Sequence, residues 1–282
     1  MKTEYEQQLD RIRAANDAEW LHILAHGRDA YSLLPVLPDE MTQRRFVGKA
    51  NEAAFSVAIE TFKVAVAEAT KLGFRLVPES RLMDFGCGWG RFSQVAFKYF
   101  DPANIVSADV QDSALDICRE TGLRTNLLLV PMHPPSSLPN DSINFIIAYS
   151  VFSHLDEQIH LAWLREFKRI LAPGGVVAVT TRPRGFINYV NSLSNASEIP
   201  PHARGLVNLF QNPGEALEAY DRGEFVYGEF PSPGRIGKGY GEACIPQKYV
   251  MDHWGDMFHQ LAWVDANSHI DQALIVARKG SD

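Results

Sequence analysis

Cysteine is scarce in this chain of 282 residues: Cys87, Cys118 and Cys244 are the three it has, and no two are close in sequence. Isolated cysteines form neither a disulfide framework nor a zinc spacing and suit a reducing compartment, so no metal site is expected from them. Long apolar runs are missing too. None reaches the ~18 residues that cross a bilayer, and the charged segment Met1 to Arg13 has no apolar centre of the kind a signal peptide needs. A soluble, cytoplasmic protein is the expectation. Positive charge is in deficit, with 27 Lys and Arg against 34 Asp and Glu for a formal −7. That balance argues against a protein held to nucleic acid or anionic lipid mainly by electrostatics, and favours a neutral, small or saccharide-like partner. Internal repeats and low-complexity tracts are also absent. What is there is a 46% hydrophobic composition, enough for a sizeable core of one domain with embellishments.

The most informative stretch runs from Arg81 to Phe92. Leu82 to Phe85 is a short apolar run suited to a buried strand, Gly86, Gly88 and Gly90 follow at alternate positions, and Phe92 to Phe100 has helical spacing. A strand, a glycine turn and a helix start therefore succeed one another. Glycine permits positive φ and leaves no Cβ between turn and ligand, and the first N–H groups of a helix are unpaired, so the turn is shaped to receive an anionic group. A dinucleotide fingerprint would run Gly-x-Gly-x-x-Gly. Here Arg91 stands after the third glycine and Asp84 two places before the first, which disfavours NAD. A second acid, Asp109, ends the apolar run Ile105 to Ala108, 25 residues after Asp84. A carboxylate there can accept both hydroxyls of a ribose.

The order Asp84-Phe-Gly-Cys-Gly-Trp-Gly90, then Asp109, resembles motif I and the following strand end of the class I S-adenosylmethionine (SAM)-dependent methyltransferases. The phrases Ala148-Tyr-Ser-Val-Phe-Ser-His-Leu155 and Leu171-Ala-Pro-Gly-Gly resemble later elements of the methyltransferase families numbered 11 and 12, and the Arg45-Phe-Val-Gly48 element before a long helix and the closing hairpin through Asp271 to Lys279 are similar to those of bacterial members associated with sugars and the cell surface. The resemblance implies an α/β, Rossmann-like sheet with helices on both faces and a SAM cofactor. By it Asp84 lies beside the methionine amino end, and Gly86, Cys87, Gly88, Gly90, Arg91 and Phe92 pack against the cofactor. Asp109 takes the ribose, and Val110 and Gln111 flank the adenine. Such proteins often carry an adenine-binding acid in the loop after the third strand, but none occurs between Gly122 and Asn140, which leaves Met132 and His133 as the nearest positions.

Ahead of motif I, residues 1 to 34 read as helical, and Asn51 to Leu72 as a second, amphipathic helix. By the resemblance Phe46, Val47 and Gly48, just before that helix, form a lid on the SAM pocket; a plain helix-to-helix turn is the alternative. His22 and His26 stand one helical turn apart without a third ligand nearby. Asp112 and Ser113 would cap the helix that follows Asp109. Ligands in open α/β sheets sit outside the carboxyl ends of the strands, which puts Tyr149, Ser150 and His154 on the methyl-transfer side. His154 is the expected general base, with Asp156 to orient it, or else a capping or core residue. Further acceptor contacts are His133, Arg182, Tyr240 and Glu242.

The chain divides into a helical extension and lid (1–74), a SAM-binding core (75–182), a cap rich in Gly, Pro, Asn and Ser inserted over the acceptor site (183–245), and a helix and strand hairpin completing the core (246–282). The expected activity is metal-independent transfer of the sulfonium methyl to a hydroxyl of a saccharide or small molecule. N-methylation of an amine, or a non-catalytic SAM-binding protein of the same fold, are the alternatives, and a homo-oligomer is left open.

Overall fold

The computed structural model describes residues 2–194, 196–199, 201–207, 209–230, 241–268 and 270–281. Four helices precede the first strand: α1 (Glu4–Ala14), α2 (Asp17–Ala25), α3 (Glu40–Val47) and α4 (Asn51–Lys71). α1 and α2 each open on a capping box, Thr3 with Glu6 and Asn16 with Glu19, which satisfies first-turn N–H groups that no helical carbonyl can reach. Strands and helices then alternate: β1 (Leu82–Phe85), α5 (Arg91–Val95), β2 (Ile105–Asp109), α6 (Asp112–Thr121), β3 (Asn126–Leu129), β4 (Ile143–Ala148), α7 (Glu157–Ile170) and β5 (Leu171–Thr181). The chain continues through α8 (Arg184–Ser194), α9 (Pro213–Arg222), β6 (Val226–Glu229), β7 (Gly241–Cys244), α10 (Gln247–Trp254), β8 (Gln260–Val264) and β9 (Ala273–Arg278).

Seven strands form one sheet in the order β3-β2-β1-β4-β5-β9-β8. β1 to β5 are parallel, and β9 runs antiparallel between β5 and β8. Central parallel strands are buried on both faces and so read as continuous apolar runs. Leu82, Phe145, Ile147, Val176 and Leu274 pack on one side against Trp20, Phe55 and Phe62 of the N-terminal helices. Met83, Phe85, Ile146, Val177 and Ile275 pack on the other against Leu164, Phe167, Val250 and Trp254 of α7 and α10. Strand order reverses between β1 and β4, which opens a crevice beyond their carboxyl ends. Among the described residues no helix is long and apolar enough to cross a membrane.

Several local expectations change. The helix predicted over 92–100 is α5 plus a 3-10 turn at Ala96–Lys98, tightened where Phe62 meets Phe92, Tyr99 and Phe100 and where Trp20 Nε1 donates to the Val95 carbonyl at 3.4 Å. Asp112 does not cap α6. It is the first helical residue, after Gln111, and its carboxylate accepts from Arg119 at 3.1 Å. β5 starts at Leu171 and runs through the Pro-Gly-Gly sequence, with a register shift opposite β4 that absorbs Pro173, Gly174 and Gly175. Within 183–245 the described residues are regularly built: α8, α9 and the β6–β7 hairpin enclose an apolar cluster of Ile187, Val190, Leu209, Phe210, Val226 and Cys244.

His160 of α7 is fully buried among Phe152, Phe225, Tyr249 and Trp254, and Trp254 Nε1 donates to its Nε2 at 3.1 Å. Burial, with His253 adding like charge, pushes its pKa down to about 3. A depressed folded pKa means that the unfolded chain binds the proton first, so this contribution is present above about 6.5 and is lost as pH falls toward 3. Urea unfolding of wild type and His160→Leu checks this. Wild type should be more stable at pH 7.5 by about 1–3 kcal/mol, the cost of orphaning the Trp254 N–H, and the gap should shrink by roughly 1.4 kcal/mol per pH unit below 6.5. A gap independent of pH between 7.5 and 5 would refute it.

Candidate active site

Beyond the ends of β1, β2 and β4 lies a cavity of about 450 Å³, inside the roughly 300–1,000 Å³ range of small-molecule sites. Its floor is the turn after β1. Gly86, Gly88 and Gly90 have φ of +76°, +55° and +80°, a region that costs an L side chain ~1–2 kcal/mol. Space forbids a side chain as well. A Cβ on Gly86 would lie 2.3 Å from Val151 Cγ2, and one on Gly88 would lie 3.1 Å from the Phe46 ring.

The turn already holds two anions, and both belong to the chain. Asp109 accepts from the Gly88 amide at 3.0 Å through one carboxylate oxygen and from the Gln111 amide at 2.9 Å through the other. Asp84 accepts from the Ser93 amide at 2.8 Å and the Ser93 hydroxyl at 2.7 Å. Burial pushes the Asp84 carboxyl up to about 6, against the lowering effect of its Ser93 donors, and raises that of Asp109 against its amide donors. A carboxylate has about four acceptor sites, so each retains capacity toward the cavity.

α3 closes one side. Asp39 caps it by accepting from Thr42 N, and Gly48 ends it in the left-handed region at φ +70°. Phe46, Val47 and Gly48 line the cavity, with the Phe46 ring over Gly88. The cavity wall also carries a charged and aromatic stack. The Arg91 guanidinium lies 5.1 Å from the Phe92 ring centre and 4.8 Å from that of Tyr149, while Nη1 donates to the Ala54 carbonyl at 2.8 Å. Tyr149 donates to Asp271 at 2.8 Å, and Lys49 stands 3.6 Å from the same carboxylate. Ser150, at φ +57°, is held through its amide by Thr180 Oγ1 and through its hydroxyl by Gln272 Nε2. That bond leaves Gln272 Oε1 buried without a hydrogen-bond partner among the described residues, as is Trp89 Nε1; both residues line the cavity.

His154 lines the cavity with Arg182. A carbonyl can only accept, so the 2.8 Å contact between His154 Nδ1 and the Gly241 oxygen places the ring proton on Nδ1 and the lone pair on Nε2. Glu242 Oε1 is 3.6 Å from the same Nδ1, and Arg182 grips that carboxylate with Nε at 2.5 Å and Nη2 at 3.1 Å. Burial lowers the His154 pKa, Glu242 opposes the shift and Arg182 adds to it. The imidazole is therefore neutral at pH 7.

Most predicted positions meet in this one cavity: Phe46, Gly48, Asp84, Gly86, Cys87, Gly88, Arg91, Phe92, Asp109, Val110, Gln111, Met132, Tyr149, Ser150 and His154. Gly90 does not line it. A Cβ there would strike Leu123 at 2.5 Å, so its glycine serves the packing of α5 against α6 and the loop after it. His133 is exposed on its loop and lies outside the lining. Asp156 does not orient His154 but caps α7, accepting from Ile159 N at 2.8 Å; among the described residues Gly241 and Glu242 lie against the His154 ring. Tyr240 lies outside the described residues. Trp163, Asp271 and Gln272 line the cavity without having been singled out. Trp163 is one apolar position among many on an amphipathic helix. Asp271 and Gln272 carried a faint signal, two polar residues directly before the buried strand β9.

Residues 83–177 match a family model described as a methyltransferase domain. Among solved structures, a SAM-dependent methyltransferase from Methanosarcina mazei is similar with a TM-score of 0.50 and 14% identity, covering 73% of this chain and 96% of that one. A SAM-dependent methyltransferase from Clostridium acetobutylicum gives a TM-score of 0.50 and 12% identity, covering 85% of this chain and 96% of that one. At such identities the likeness is one of fold. No curated protein sequence matches the chain.

The Gly86 geometry separates two costs. Gly86→Ala should lose about 1–2 kcal/mol to backbone strain and a further ~1–3 kcal/mol to the Val151 clash. Gly86→Ala combined with Val151→Ala should recover only the clash, measured by urea unfolding against Val151→Ala alone. Full recovery in the double variant would mean that φ at position 86 is not constrained.

Proposed function

We propose that this chain, whose residues 83–177 match a methyltransferase domain, is a class I SAM-dependent methyltransferase that methylates a hydroxyl of a saccharide or other small molecule, with His154 rather than a metal ion taking the proton. The observation that carries the reading is the Nδ1 contact of His154 with the Gly241 carbonyl: in the neutral ring that burial favours, the proton is then on Nδ1 and the basic nitrogen is Nε2, in a residue that shares the cavity with Asp84 and Asp109. An amine acceptor needs only its own lone pair, whereas a hydroxyl gains from a base with a pKa near the working pH.

The residues fit the cofactor. Gly86 and Gly88 put bare backbone on the cavity wall, packed against Val151 and Phe46. Asp109 keeps acceptor sites for ribose hydroxyls, and Asp84 does so for the amino group. Val110, Gln111 and Met132 would flank the adenine, and Phe46 and Gly48 would cover the pocket. When bound, SAM supplies a methyl carbon already activated by its sulfonium. The chain's own work is then to hold the acceptor oxygen in line, keep water out and receive the proton on Nε2. The orphaned Gln272 Oε1 and the Ser150 hydroxyl would meet further donors of a hydroxyl-rich acceptor. Residues 1–74 would serve as extension and lid, 75–182 as the cofactor core, 183–245 as the acceptor cap, and 246–282 as the hairpin completing the sheet.

Calorimetric titration with SAM and with NADH tests the cofactor. SAM should bind and NADH should not, and Asp109→Ala should weaken SAM on the order of 10²-fold, the loss of hydrogen bonds to a charged group. In an acceptor screen biased toward sugars, His154→Ala should retain SAM affinity and lose turnover. The acid limb of kcat/KM should fall below 6.5, the ordinary histidine value, because burial lowers this pKa. SAM binding that persists unchanged in Asp109→Ala, or turnover that persists in His154→Ala, would overturn the corresponding assignment.

A further inference from the structure

His154 belongs to the loop after β4, yet the groups around its ring come from elsewhere. β7 docks against that loop: Gly241 N donates to the His154 carbonyl at 3.1 Å and Ala243 N to the Ser153 carbonyl at 2.7 Å. It also reaches the end of β5, where Arg182 N donates to the Ala243 carbonyl at 3.1 Å. Strand pairing therefore fixes Gly241 and Glu242 relative to His154 through the backbone. Glu242 is 3% exposed. A buried carboxylate persists where its lone pairs are paired and hydrogen-bonded, and the two-point grip of Arg182 provides that pairing in a fixed plane. Arg182 is in turn held over the Phe186 ring, 4.8 Å from its centre, at the start of α8.

We propose that Glu242 is the positioning residue for His154: clamped by Arg182, its carboxylate stands beside the Nδ1 edge of the ring that the Gly241 carbonyl holds, and balances the positive charge that the ring gains when it accepts a proton. The inference rests on His154 being the base of the proposed reaction, but the arrangement itself does not. A neutral ring with its Nδ1 proton on a carbonyl would become a buried cation on protonation, and Glu242 is the opposite charge within reach, 3.6 Å away. Among the described residues the charged groups acting on the ring include Glu242 from β7 and Arg182 just after β5; Tyr149 and Asp271, beside the ends of β4 and β9, border the same cavity. Arg182 limits the effect of Glu242 by sharing its charge, so the pair sets the ring's basicity rather than simply raising it. The stretch between β5 and α10 thus supplies a part of the site that the parallel core lacks.

Nuclear magnetic resonance of ring-labelled histidine, with His154 assigned through His154→Gln, tests this on the intact protein. Wild type should show the Nδ1–H tautomer at pH 7.5. Glu242→Gln, which keeps shape and removes charge, should lower the His154 pKa by about one unit or more, and Arg182→Gln should raise it. A merely structural role would not move the two variants in opposite directions. An Nε2–H tautomer in wild type, a measurement that needs no folded variant, overturns the proposal, as does a His154 titration unchanged in Glu242→Gln. Opposite shifts in the two variants together with turnover retained in His154→Ala would instead leave the coupling intact and remove the base assignment.

Discussion

Close approach at the turn after β1 is the constraint on which the site depends. At Gly86 and Gly88 the backbone runs in the left-handed region with the Val151 side chain and the Phe46 ring against it, so a methyl group would collide at Gly86 and be tightly crowded at Gly88. Three separate parts of the chain are thereby brought together: the loop after β4 through Val151, the N-terminal helices through Phe46, and α6 with its following loop through Leu123 at Gly90. Asp109 ties the end of β2 to the same turn through the Gly88 amide. The cavity is what remains between these contacts, and its walls are as rigid as the packing that makes them.

Electrostatics in the cavity follow from burial. Asp84 and Asp109 are nearly inaccessible, and both carboxyls are harder to ionise than in water even though backbone and hydroxyl donors favour their charged forms. Such a site favours a cationic ligand that offers hydrogen-bond donors, because that ligand restores what desolvation removed. Arg91 does not cancel the effect. It lowers the Asp84 value, but burial outweighs it, and its guanidinium also donates to the Ala54 carbonyl and lies against the rings of Phe92 and Tyr149.

The acceptor side is built differently. Around the cofactor turn the key contacts are local to the parallel core, whereas around His154 they are contributed by β7, far along the chain. A strand is an economical carrier for such groups, because its pairing fixes the alternation of side chains: Gly241 supplies a carbonyl and Glu242 a carboxylate in adjacent positions. Arg182, at the junction of β5 and α8, closes the network.

The amino-acid sequence by itself determined the parallel core, the glycine turn and most of the cavity lining. Alternating apolar runs and helices, positive-φ glycines and strand-end acids are local signals, carried by residues within a few positions of one another; Asp84, Gly86, Gly88 and Asp109 were legible for that reason. The structure decided the rest, because it depends on pairs of residues distant along the chain. Gly90 looked like its two neighbours, but the position of Leu123 turns it into a packing glycine. Asp156 stood next to His154 in sequence, but the first turn of α7 claimed its carboxylate, and Glu242, 88 residues away by number, took the place beside the ring. Asp271 and Gln272 reach the cavity only because β9 inserts antiparallel between β5 and β8. Hydrophobic periodicity encodes which face of an element is buried; which side chains then meet across the cavity is set by sheet order and strand register, and those follow from the packing of the whole chain.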